Sequence, residues 1–95
     1  MEEETAVPEC FLFPGYPNPF TSSTTIRYEL RAPMPVRLVL HDALGREIRR
    51  FGSPGLTPAG MHSMRIETAD MLPGLYYLTL LAGKQPQTTT LMLLR

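Results

Sequence analysis

Proline stands at residues 8, 14, 17, 19, 33, 35, 54, 58, 73 and 86, and this scatter constrains the chain more than any other feature. Proline lacks an amide N–H and its ring collides with the preceding helical turn. It is therefore confined to helix starts, turns and sheet edges. A bundle of long helices cannot be threaded between these positions. Seven glycines lie among the ten prolines, so the two together make up 17 of 95 residues, above the usual share of about 12%. The apolar content of 43% is too high for a chain that stays disordered. At 95 residues the chain makes one small domain with a thin core.

The segments between these breakers alternate with the period of β-strands. Residues 24–30 put Ile26, Tyr28 and Leu30 on one face and Thr25, Arg27 and Glu29 on the other. Residues 36–41 set Val36, Leu38 and Leu40 against Arg37, Val39 and His41. Asp42-Ala43-Leu44-Gly45 has the aspartate and glycine of a type I turn, so residues 46–51 return antiparallel. Residues 52–60 hold three glycines and two prolines and form a loop. Residues 62–67 alternate again, and residues 70–74 make a turn. Residues 75–81 and 87–94 then form a hairpin closed around Gly83. An edge strand is compatible with residues 11–13. Strand starts fall 10 to 16 residues apart, close to the spacing of small sandwiches and barrels. The expected fold is all-β, a sandwich of about seven antiparallel strands. Residues 1–13 read as a linker or N-terminal tail, and residues 14–95 as the folded domain.

Composition excludes several functions. Formal net charge is zero, and the acids Glu2, Glu3, Glu4 and Glu9 crowd the N-terminus. From Cys10 onward nine bases face five acids, well short of a nucleic-acid-binding footprint. A single cysteine rules out an internal disulfide or a multi-cysteine metal site. No apolar run reaches the roughly 18–20 residues of a membrane span. The first residues do not read as a secretory signal, so for an exported chain the export signal is expected elsewhere.

No residue is nominated as catalytic, metal-binding or cofactor-binding. His41 and Asp42 are neighbours in a strand and point to opposite faces, so they read as strand and turn rather than a dyad. His41 and His62 lack a further ligand at metal-binding spacing. Cys10 sits in the expected linker with no nucleophile motif around it. Arg27, Arg37, Arg49 or Arg50, and Arg65 are expected on one solvated sheet face, with an anionic surface such as lipopolysaccharide as the functional alternative. Tyr76 is expected in the core and Tyr77 at the surface.

The most informative segment is Tyr16-Pro17-Asn18-Pro19-Phe20. Its alternating prolines remove two backbone donors, so it cannot be a central strand. It reads as a rigid entry loop holding Tyr16 and Phe20 as plugs over one end of the core. Asn18 is expected to bond its own backbone and set the turn.

With the strand that follows, this segment resembles the type A C-terminal sorting domain of proteins exported by the type IX secretion system of Bacteroidetes. The resemblance extends from residue 14 to residue 95. It rests on Tyr16 to Phe20, Thr24 to Leu30, and Val36 to Arg46 with Asp42, Gly45 and Arg46 in place. Gly60 and His62 continue it, followed by Leu72, Gly74, Tyr76 and Leu80, and by Leu91 to Arg95. His41 stands where the family usually carries tyrosine.

The resemblance implies an immunoglobulin-like sandwich that acts as an address and catalyses nothing. It implies a cargo joined N-terminally, recognition by the outer-membrane secretion machinery, and removal by a sortase-like protease. The cargo would pass through the periplasm to the cell surface or beyond. A chain stopping at Arg95 fits a signal that must be terminal, and a cut is expected within or near residues 1–13. Gly74, Tyr76, Gly83, Leu93 and Arg95 are the expected recognition positions, with strand addition at the final hairpin as the mode. Tyr16, Pro17, Asn18, Pro19, Phe20, Asp42, Gly45 and Gly60 are expected to be structural. The alternatives are a passive immunoglobulin-like spacer or adhesion module, and a carbohydrate-binding accessory module. Against the last stand the absence of tryptophan and an aromatic content of 8%.

Overall fold

The structure is a computed structural model that describes residues 9–52 and 54–94. Seven strands follow one another: β1 (Cys10–Leu12), β2 (Ser23–Leu30), β3 (Arg37–Asp42), β4 (Glu47–Phe51), β5 (Gly60–Glu67), β6 (Gly74–Leu81) and β7 (Gln87–Leu93). They form two antiparallel sheets, one ordered β1-β2-β5 and the other β4-β3-β6-β7. The result is an all-β, immunoglobulin-like sandwich. Among the described residues no helix is long and apolar enough to cross a membrane.

The core follows from the alternation. Ile26 and Leu30 of β2 and Ile66 of β5 meet Leu38 and Leu40 of β3, Leu78 and Leu80 of β6, and Leu91 and Leu93 of β7. Each such side chain contributes about 1.5–3 kcal/mol by leaving water. Val39 was expected to face solvent, yet it is buried. Its strand lies between β4 and β6, and the side chains of Arg50 and Thr79, its register partners on the same outer face, flank it and shield it from water.

Two further expectations fail. Cys10, placed in the linker by sequence, is the first residue of β1 and is buried in the core. The strand is three residues long, too short to show a period, and its partner Leu30 is remote in sequence. Residues 1–8 of the expected tail lie outside the described residues. The arginines also divide between the sheets: Arg27 and Arg65 are on β2 and β5, whereas Arg37 and Arg50 are on β3 and β4. Arg27 and Arg31 lie over the rings of Phe13 and Phe11, at 5.8 and 5.7 Å.

The terminal hairpin and the loop that closes its edge

The β6–β7 hairpin runs in register from Gly74↔Leu93 to Leu80↔Gln87. Leu78, Leu80, Leu91 and Leu93 turn inward and the intervening residues outward. The outward Thr79 and Thr88 hydroxyls meet at 3.0 Å. Because β7 is an edge strand, its outer backbone groups need partners, and the Tyr16–Phe20 loop supplies them.

Asn18 does this with its side chain. Its Nδ2 donates to Thr90 O at 2.9 Å, and its Oδ1 accepts from Met92 N at 2.9 Å. Phe20 completes the pairing, donating to Met92 O at 2.9 Å and accepting from Leu94 N at 2.8 Å. The same loop is tied to the other sheet, where Tyr16 and Thr25 exchange both backbone bonds at 3.0 and 2.9 Å. The Thr24 hydroxyl, buried, donates to Pro17 O at 2.8 Å. The bonds preceding Pro17 and Pro19 are both cis. The loop is thus a clasp between the sheets. The expectation that Asn18 bonds its own backbone is corrected: its partners are on β7, more than 70 positions away.

Only one aromatic of this loop is a plug. Phe20 exposes 2% of its surface and Tyr16 79%. Tyr16 is held by its backbone alone, so its ring is directed to solvent. Gly15 has a different constraint. A Cβ there would lie 2.7 Å from Leu91 Cδ2, so a bare backbone lets the loop rest on the core.

A second side-chain amide closes the edge of β1. Gln87 Oε1 accepts from Leu12 N at 2.8 Å and its Nε2 donates to Cys10 O at 2.7 Å. Nothing in the sequence marks Gln87, a polar residue at a strand start. Burial, and to a lesser degree the neighbouring Glu9 carboxylate, pushes the Cys10 thiol pKa upward. The thiol contacts Ala82 O at 3.3 Å.

The five recognition positions divide by depth. Tyr76 and Leu93 expose 6% and 1% and belong to the core. The Tyr76 hydroxyl donates to Leu72 O, which ties the approach to β6 down onto the strand. Gly74 opens β6 with φ +145°. It borders a shallow cleft of about 180 Å³ that also includes Asp42, Leu44, Arg46 and Leu72. Leu44 and Leu72 on this rim each expose 78%. Gly83 turns the hairpin with φ +69° at the other end, where a Cβ would meet Glu9 Oε1 at 2.8 Å. Arg95 lies outside the described residues. The clasp also revises the expected mode of recognition, because Asn18 and Phe20 already pair the edge of β7 from Thr90 to Leu94.

Asp42 organises the turn beside the cleft. Its Oδ1 accepts from Leu44 N at 3.0 Å and Arg46 N at 2.9 Å, and its Oδ2 from Arg46 Nε at 2.8 Å. These bonds, led by the one from the Arg46 backbone, hold its carboxyl below the ordinary value. Gly45 takes φ +86° and donates to Asp42 O at 2.9 Å. Gly60 opens β5 opposite Leu30. His41 and His62 lie on different sheets. The His62 ring stacks on Tyr28 at 5.3 Å, with its Nε2 2.7 Å from Pro58 O. Among the described residues no three His, Cys, Asp or Glu side chains gather as a metal site.

Residues 15–94 match the secretion system C-terminal sorting domain, and the chain belongs to that family, the C-terminal signals of type IX secretion. This is a family of non-catalytic signal domains. The comparison with curated protein sequences returned no match.

Proposed function

We propose that this domain carries an N-terminally attached cargo across the outer membrane through the type IX machinery, to the cell surface or the medium. The family match over residues 15–94 carries this reading. The face offered to the machinery is the end of the sandwich where Gly74 opens the cleft between Leu44 and Leu72. Exposed leucines flanking a cleft favour an apolar contact. Gly74 and Gly83 serve as surface positions of the signal and Arg95 as a further recognition position, while Tyr76 and Leu93 shape it from beneath.

A sortase-like protease then separates cargo from signal. Its cut falls outside Cys10–Leu12, because a protease cleft accepts extended, unpaired backbone and this segment is paired to β2. The test is a fusion of a signal-peptide-bearing fluorescent protein to residues 1–95, expressed in a type IX-competent host and in a strain lacking the outer-membrane pore. Pore-dependent fluorescence at the surface or in the medium is expected. Periplasmic retention of a folded fusion in both strains would overturn the reading in favour of a spacer module.

A further inference from the structure

The sandwich has four edge strands: β1 and β5 in one sheet, β4 and β7 in the other. Exposed edges are templates for pairing with another chain, and natural sheets blunt them. Three are blunted here. Asn18 and Phe20 cover β7, and the Gln87 amide covers β1. The β4 strand is five residues long and its pairing with β3 shifts register between Leu40 and His41; such irregularities bend an edge.

The β5 edge has none of these devices. It runs eight residues without proline or lysine, and its register with β2 is unbroken from Ser23↔Glu67 to Leu30↔Gly60. Its hydrogen-bond direction follows from β2. Arg27 O accepts from Phe13 N, and Thr25 bonds Tyr16, so odd-numbered β2 residues face β1. Direction alternates along a strand, so the even residues face β5 and engage Gly60, His62, Met64 and Ile66. Met61, Ser63 and Arg65 therefore turn their N–H and C=O groups outward. Glu67, next in that series, fits this direction: its carbonyl accepts from Arg49 Nη1 at 3.1 Å. Among the described residues no group pairs with the outward backbone of Met61, Ser63 or Arg65.

We propose that β5 is a strand-addition site for an extended polypeptide segment that alternates apolar and polar side chains and carries a carboxylate opposite Arg65. Outward N–H and C=O groups at strand spacing specify an extended backbone as the ligand. Every second side chain of the added strand faces inward beside Met64, which is half-buried against the core, so these are apolar. The others lie beside Met61, Ser63 and Arg65. The Arg65 guanidinium is exposed, donates to Ser23 Oγ at 3.4 Å and lies 3.9 Å from the Glu67 carboxylate, and Arg49, bonded to Glu67 O, adds a second positive charge at this end. An acidic residue is the complement. The site lies on a different edge from the hairpin and does not rest on the sorting reading.

The probe is a blocked eight-residue peptide alternating valine and threonine, with one threonine replaced by glutamate, titrated into the 95-residue chain and followed by amide NMR. Shifts and slowed exchange at Met61, Ser63, Arg65 and Glu67 are expected. Ser63→Pro removes an outward N–H that the β2 ladder does not use, and edge strands tolerate such a proline. It should keep the fold and weaken binding at least tenfold. Should Ser63→Pro not fold, Arg65→Glu substitutes for it: it should reverse the preference, from the glutamate peptide to a lysine version. Absence of β5 shifts at millimolar peptide, or binding indifferent to these variants, overturns the proposal. Protection of the same amides that grows with protein concentration alone assigns the edge to a second copy, and also overturns it.

Discussion

The side-chain amide of Asn18 pairs with Met92 as a strand's peptide group would, its Oδ1 accepting the Met92 N–H at 2.9 Å across 74 positions of sequence. With Nδ2 donating to Thr90 O, one side chain satisfies an acceptor and a donor on the β7 edge. Asn18→Ala removes both bonds. Each is worth about 0.5–1.5 kcal/mol, so urea denaturation should show a loss of about 1–2 kcal/mol. Amide exchange at Met92 should quicken more than exchange in β3. Unchanged protection at Met92 would show that the clasp does not hold the edge.

The two aromatics of the same loop should behave differently. Phe20→Ala empties a core position and should cost about 3–5 kcal/mol, enough to unfold much of a small domain. Tyr16→Ala changes an exposed ring and should stay within about 0.5 kcal/mol. Thermal melts of the two variants check this, and equal losses would refute the assignment of Phe20 alone as the plug.

Gln87 should control access to Cys10. The thiol is buried beneath β1, and Gln87 holds that strand through Leu12 N and Cys10 O. In Gln87→Ala, thiol labelling in native buffer should accelerate about 5- to 10-fold, the effect of about 1 kcal/mol on local opening. Global stability should fall less than in Phe20→Ala.

Asp42 sets an acid limit. Its folded pKa is lowered, so the stability it contributes is fully present above the ordinary carboxylate value of about 3.9. That contribution is lost as pH falls through the depressed folded value. Asp42→Asn keeps an oxygen for Leu44 N and Arg46 N but drops the ion pair with Arg46. Its stability should depend less on pH than the parent's between about pH 5 and 2. Parallel pH profiles of the two proteins would remove Asp42 as the group responsible.

Export can be separated from folding at the cleft. Leu44→Ser and Leu72→Ser alter side chains exposed to 78%, so melting temperatures should barely change, while reporter export falls several-fold. Gly74→Val should also cut export, with a stability loss of about 1–2 kcal/mol from its left-handed backbone. Truncation before Gln87 is a poor test by comparison, since it deletes β7 and leaves Asn18 and Phe20 without partners. Wild-type export of both serine variants would move the contact away from this end.

Local chemistry made much of the fold legible in the sequence. Alternation placed the six longer strands to within two residues, because one buried face imposes a period of two whatever the partner strand. Asp42 and Gly45 disclosed their turn, because an acceptor at its start and a positive φ at its end are demands of the backbone itself. Ordered together, Tyr16–Phe20, Gly60 and Gly74–Leu80 disclosed the family. Tertiary structure alone decided what depends on remote partners: the burial of Cys10, the burial of Val39 between two neighbours, the exposure of Tyr16, and the β7 edge occupied by Asn18. An amide side chain can bond its own turn or a strand 70 residues away with equal chemistry. Only the packing of the two sheets brings the second partner within 3 Å.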